Sequence, residues 1–248
     1  MIPGTGTAVN VVTVLVGALV GKLLGDRLPV RTRDLVTDAL GLTTLLIAAT
    51  SALAVLDSDL ADRVGSTAPL LIVLGSLVLG GIAGSVLRVE QRIKSFGGWL
   101  QKRLAGETGS AERQRFIEGF VLSSLIFCTG PLTILGSLND GLGNGADQLF
   151  LKATLDGFAA MAFAASFGFG VAASAITIVV VQGSLTVLGV LLGDVLPAAE
   201  LAAITATGGL LLVGVALRLL RIREVPVADL LPALLLAPVL VQITGRIS

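Results

Sequence analysis

Apolar residues run along this chain in stretches of about 20, the length a helix needs to cross a bilayer, separated by short charged or Pro/Gly-rich breaks. Eight stretches stand out, at residues 7–25, 37–56, 68–87, 116–137, 153–172, 175–195, 201–220 and 228–245. The runs are continuous, whereas membrane-barrel strands would alternate over segments of about ten residues. The pattern therefore predicts an all-α, polytopic transmembrane helix bundle of about eight spans. Met1 to Asn10 carries no Lys or Arg, so the first run reads as a permanent span and not a cleaved signal. The region 158–196 is free of charge until Asp194 and reads either as two spans or as one span with a re-entrant piece.

The placement of cations favours two spans there. Under the eight-span reading, fourteen of the seventeen Lys and Arg residues fall on one side and three (Arg63, Lys152 and Arg246) on the other. Such a bias marks the cytoplasmic side and puts both termini outside the cytoplasm. Merging 158–196 into one span would move Arg218, Arg221 and Arg223 to the wrong side. Between the third and fourth spans, Val89, Ile93, Phe96, Leu100 and Leu104 recur at spacings of three and four, one face of a helix. Arg92, Lys94, Lys102, Arg103 and Trp99 around that stripe suit a helix on the cytoplasmic leaflet. A connector helix packed on the protein fits the same pattern.

A sequence repeat gives the spans an order. Leu23-Leu24-Gly25-Asp26-Arg27-Leu28-Pro29 recurs 168 residues later as Leu191-Leu192-Gly193-Asp194-Val195-Leu196-Pro197, and Gly21 and Gly41-Leu42 meet Gly189 and Gly209-Leu210 at the same offset. The copies start five spans apart, an odd number, so they cross in opposite senses, as in many transporters. This predicts a single membrane domain over 1–248. It contains a first repeat (1–88), a cytoplasmic amphipathic connector (89–113), a central helix pair with a broken span (114–174) and a second repeat (175–248). Gly80 and Gly84 repeat the spacing of Gly21 and Gly25, which serves close helix packing.

Composition narrows the chemistry. The 248 residues have a mean hydropathy of +0.95, 54% hydrophobic and 14% charged residues, no His, no Tyr and one Cys. A Ser-His-Asp triad, a histidine metal site, a structural disulfide within the chain and a CxxC redox pair are excluded. The charges cancel overall and give no reason to expect a nucleic-acid partner. The densest polar block is Phe127 to Gly141, with Gly130-Pro131 inside its apolar run. Proline removes a backbone donor, and its ring crowds the carbonyl four residues back, here Phe127. Backbone carbonyls from Phe127 to Thr129 and the hydroxyls of Thr129 and Thr133 can then serve a dehydrated cation or polar solute. An ordinary proline kink gives the same sequence. Asp140, Lys152 and Asp156 are the charges closest to the break. Lys152 and Asp156 are spaced for an ion pair on one helix face, and charges at membrane depth warrant a functional reading. Asn10, Asn139, Ser166 and Gln182 add polar candidates, each of which also suits interhelical hydrogen bonding.

The opening Gly4 to Asn10, the block Phe127 to Gly141, Lys152-Ala-Thr-Leu-Asp156-Gly157 and Gln182-Gly183 resemble the bacterial YdfK/YqgA-like family of uncharacterised integral membrane proteins. The likeness covers essentially the whole chain. It implies a multi-pass protein of the bacterial cytoplasmic (inner) membrane and carries with it no substrate, cofactor or catalytic residue.

The leading expectation is a transporter or channel for an inorganic ion, a monovalent cation favoured, or for a small polar solute. Its candidate binding residues are Phe127, Cys128, Thr129, Gly130, Pro131, Thr133, Asn139, Asp140, Lys152, Asp156, Asn10 and Gln182. No cofactor is expected, and whether a metal ion binds is left open. The expected partners are the lipid bilayer, the transported species and further copies of the chain in a homo-oligomer. A membrane scaffold or assembly protein built on the glycine faces and the basic connector is the alternative. An intramembrane enzyme would have to work with Asp140, Lys152 and Asp156 alone, since Cys128 has no histidine to activate it. The expectation is therefore a non-enzyme.

Overall fold

The computed structural model describes residues 2–25, 29–105, 109–128, 131–143, 145–192 and 197–246. Among these the chain is all-α, with eleven α-helices, two short 3-10 turns and no strand. In order they are α1 (Thr5–Gly25), α2 (Val30–Ala52), α3 (Ser58–Val64), α4 (Ala68–Leu87), α5 (Val89–Ala105), α6 (Ser110–Cys128), α7 (Pro131–Leu142), α8 (Asp147–Phe167), α9 (Gly170–Leu192), α10 (Ala198–Leu219) and α11 (Ala233–Thr244). The 3-10 turns, Leu53–Leu56 and Val227–Leu230, extend α2 and precede α11. Seven segments are long and apolar enough to cross a membrane, and α6 with α7 forms an eighth if taken together.

The broken span expected at 116–137 divides into two helices among the described residues. α6 ends at Cys128 and α7 starts at Pro131, the two axes bent by 77°. Proline is tolerated in a helix's first turn, where its missing N–H is not needed, but not in the interior. Residues 158–192 lie in two separate helices, α8 and α9, as the cation count favoured. The chain reverses at Gly168, whose φ of +73° favours glycine. α3, which the apolar pattern did not indicate, is capped by the Asp57 side chain accepting from the Asp59 N–H at 2.9 Å.

On α5, the expected stripe has Leu100 buried, Val89 and Ile93 half-buried and Phe96 exposed. The packed face of the helix is Gly97, Gly98, Leu100 and Gln101, with the two glycines against Phe120, Ile117 and Arg113 of α6. Phe96 and Trp99 are exposed, stacked 5.7 Å apart, with the Arg103 guanidinium over the Trp99 ring.

The chain divides into two compact units, Met1–Leu40 with Ile93–Asp194 and Gly41–Arg92 with Val195–Ser248. In the first, α1 and α8 run parallel at backbone contact. Gly17 faces Gly157, Gly21 faces Met161 and Gly25 faces Ala165, with no room for a β-carbon at any of the three. α6 and α9 are likewise parallel: Gly170 abuts Phe116, and further along Ser124 and Thr177 share a hydrogen bond at 3.0 Å. α7 lies on the later part of α9, where Gly141 abuts Thr186 and Gly189 abuts Leu138. The burial pattern suits a lipid solvent. On α9, Ile178, Gln182, Thr186 and Gly189 point inward, while Val179, Val180, Val187 and Leu191 are exposed.

The second unit pairs antiparallel helices. On α4, Gly80 and Gly84 abut Ala233 and Asp229. On α2, Gly41 faces Leu219 and Leu220, while Gly209 of α10 faces Ala48 and Ala52. Buried Glu90 ties the unit together, accepting from Arg218 Nη1 at 3.1 Å and the Ala228 N–H at 3.2 Å.

Candidate functional site

The first unit holds a buried polar cluster that four helices supply. On α8, one helical turn brings the Lys152 ammonium to Asp156 Oδ2 at 2.5 Å, and Asn10 Nδ2 of α1 donates to the same oxygen at 3.0 Å. All three residues are less than 10% exposed. A charge pair withdrawn from water this far is sustained only by close geometry and added hydrogen bonds, and Asn10 supplies one. Its Oδ1 is buried with no hydrogen-bond partner among the described residues.

Asp140, on α7, is 2% exposed and accepts from the Gly4 N–H at 3.1 Å and the Gly6 N–H at 3.2 Å. Its carboxylate thus caps the first turn of α1, where free N–H groups and the helix dipole favour negative charge. Asp140→Ala is expected to lower stability by about 1–2 kcal/mol, and Asp140→Asn by less, because the amide oxygen still accepts. Thermal melting of the detergent-purified variants reads this directly.

The break between α6 and α7 adjoins this cluster. Thr133 Oγ1 donates to the Phe127 carbonyl at 3.1 Å, and the Phe127 ring meets Phe163 of α8 edge-on. Lys152 and Asp156 lie close enough to act electrostatically on the Cys128 thiol. Gln182 of α9 is fully buried, and neither its Nε2 nor its Oε1 has a partner among the described residues. It sits between Thr177, which meets α6 one turn before its end, and Thr186, which meets α7. With a rise of about 1.5 Å per residue along both parallel helices, that places Gln182 level with Cys128. Buried hydroxyls of Thr7, Ser137 and Thr186 also lack partners among the described residues. So many unpaired buried polar atoms are unusual, because each carries a desolvation penalty.

Most of the sequence-derived candidates converge here: Asn10, Phe127, Cys128, Thr133, Asp140, Lys152, Asp156 and Gln182. Pro131 opens α7, and Thr129 and Gly130 lie outside the described residues. Asn139 does not join them; its amide donates to Gln148 Oε1 at 3.2 Å in an exposed position. Ser166 is at the far end of α8, accepting from Thr37 and, through its carbonyl, from Arg115. The Phe127 carbonyl, expected free, already accepts from Thr133. Thr7, Ser137 and Thr186 carry no distinctive sequence signal, since helical hydroxyls usually bond their own preceding turn, as Ser76 does. Among the described residues no group of three or more Cys, Asp or Glu side chains is placed to hold a metal ion.

Comparison with known proteins agrees with a membrane setting. Residues 5–242 match the family described as "Protein of unknown function (DUF554)". The chain is 31% identical over 232 residues to the uncharacterized protein YqgA of Escherichia coli (strain K12), covering 94% of each chain. It is 26% identical over 236 residues to the uncharacterized membrane protein YdfK of Bacillus subtilis (strain 168), covering 95% of each. No solved structure matches. A match over almost the whole length, with seven or eight apolar helices of spanning length, identifies this chain as a multi-pass membrane protein of the DUF554 family.

Proposed function

We propose that this chain is a transporter or channel for an inorganic ion or small polar solute, a monovalent cation favoured, and that its site lies where α6 breaks off beside Asn10, Lys152, Asp156 and Gln182. The observation that carries the reading is a buried charge pair and an unpartnered amide gathered at the end of a broken helix. Helices broken within a membrane are tolerated where they line a cavity, and transporter sites are commonly built there. Two carboxylates against one ammonium favour a cation over an anion.

The sequence repeat, read as inverted, supports the same proposal. Repeat-matched Gly21 and Gly189 pack on α8 and α7, the two sides of the central pair. Matched Gly41 and Gly209 pack reciprocally, each on the helix that carries the other. The parallel pairs α1 with α8 and α6 with α9, and the antiparallel pairs of the second unit, have the directions that eight alternating crossings require. The cation bias then sets both termini outside the cytoplasm of a bacterial inner membrane.

The test is flux. Purified protein in proteoliposomes is expected to pass at least one member of a panel of monovalent cations, inorganic anions and small neutral solutes above protein-free vesicles. Folded, correctly oriented protein inert to the whole panel refutes the reading. A scaffold role is the second reading, favoured by exposed Phe96 and Trp99 beside Arg103 on α5. It predicts that charge reversal at Arg92, Lys94, Lys102 and Arg103 disrupts function more than substitution of Asp156.

A further inference from the structure

We propose that Lys152 is a tethered occupant of the cation site, whose ammonium holds Asp156 until a monovalent cation arrives and then transfers to Asp140. The inference rests on the translocation reading and names the class of its ligand.

Geometry supplies the two berths. Asp156 receives the Lys152 ammonium and the Asn10 amide on one oxygen. Asp140 is bound to the Gly6 N–H, one turn before Asn10 on α1, a rise of about 6 Å. Leu149 of α8 packs on Gly6, and Lys152 follows Leu149 by three residues on the same face. Lys152 is thus about one turn beyond the level of the Asp140 cap, and the transfer requires its ammonium, on four flexible carbons, to span that turn. Oxygen ligands for the incoming ion are at hand in the Asp156 carboxylate and the unpartnered Asn10 Oδ1.

Charge balance makes the transfer necessary. A cation joining Lys152 on Asp156 would place two positive charges on one buried carboxylate, which a low-dielectric site resists. With the ammonium on Asp140, two carboxylates balance one ammonium and one ion, and no proton need leave. The neighbouring helices add little charge at this level. α9 has no ionisable side chain, α1 has only Lys22, three turns beyond Asn10, and α6 brings the Cys128 thiol.

Thermal melting of the full chain in detergent tests this, with Na+, K+ or Tl+ replacing choline at constant ionic strength, since a ligand of the folded state raises the melting temperature. Lys152→Met vacates Asp156 and is expected to tighten binding of the preferred cation at least about tenfold. Lys152→Gln carries the same expectation with a milder change, and a Lys152→Met protein that stays folded only in that cation agrees with it. Asp140→Asn removes the second berth. It is expected to weaken binding when Lys152 is present and to leave binding unchanged in Lys152→Met. Equal cation affinity with and without Lys152, or an Asp140→Asn effect of the same size in both backgrounds, overturns the proposal. Absence of cation binding alongside flux of a neutral solute also overturns it while leaving translocation standing. Tight cation binding by Lys152→Met with no flux of any solute defeats translocation alone.

Discussion

Asp156→Ala is expected to destabilise the folded protein by about 3–5 kcal/mol, the usual result of stranding one member of a buried ion pair. Lys152 would lose the counterion it contacts in the structure, and the Asn10 amide would lose its acceptor. The companion expectation is sharper. Asp156→Leu combined with Lys152→Met removes both charges at similar volume and should recover most of that loss, because apolar replacement of a whole buried pair is often neutral or stabilising. Flux should not return with stability, since the polar site has been erased. Denaturant or thermal unfolding, paired with proteoliposome uptake, separates the two effects. A double variant no more stable than Asp156→Ala would show that the pair is not the main interaction at this position.

Gly21→Leu is the second substitution with a large expected effect. The Gly21 α-carbon lies against the Met161 backbone, so any side chain must push α1 and α8 apart. Overpacking usually costs about 1–3 kcal/mol, and here the obstacle is main chain, which cannot rotate away. The same move would shift Asn10 on α1 from Asp156 on α8 and tilt the Asp140 cap. Loss of folded protein, or a melting temperature well below wild type, is the expected outcome. Gly183→Ala is the control, since its β-carbon meets nothing within 4 Å and alanine is the better helix former. Equal melting temperatures for the two variants would contradict the close α1–α8 packing.

How much of this was legible in the sequence depends on the range of the interaction concerned. Spans declare themselves through runs of apolar residues, a local property, and α4 coincides with its expected run of 68–87. The Gly130-Pro131 pair likewise announced a break, because the proline's steric demand is local. The 77° bend is not local, since it depends on how α7 settles against α9. Lys152 and Asp156 could be paired from their spacing alone, whereas Asn10 lies 146 residues from its partner and Asp140 lies 134 from Gly6. Nothing in the flanking residues reports such contacts. On α5 the apolar stripe was legible, with Leu100 buried and Phe96 exposed, whereas Gly97 and Gly98, which pack on α6, give no apolar signal. Asn139 shows the converse, a polar residue in the right block that faces away from the cluster.

The most direct test of the central claim, that the buried cluster beside the α6–α7 break is a translocation site, is monovalent-cation uptake into proteoliposomes by wild-type protein and by Asp156→Asn, each verified as folded and monodisperse. The amide keeps the shape of the carboxylate and removes its charge. The account predicts uptake well above protein-free vesicles for the wild type and near-background uptake for Asp156→Asn. Equal uptake by the two proteins, or a folded wild type inert to the cations and to the rest of the solute panel, would contradict it.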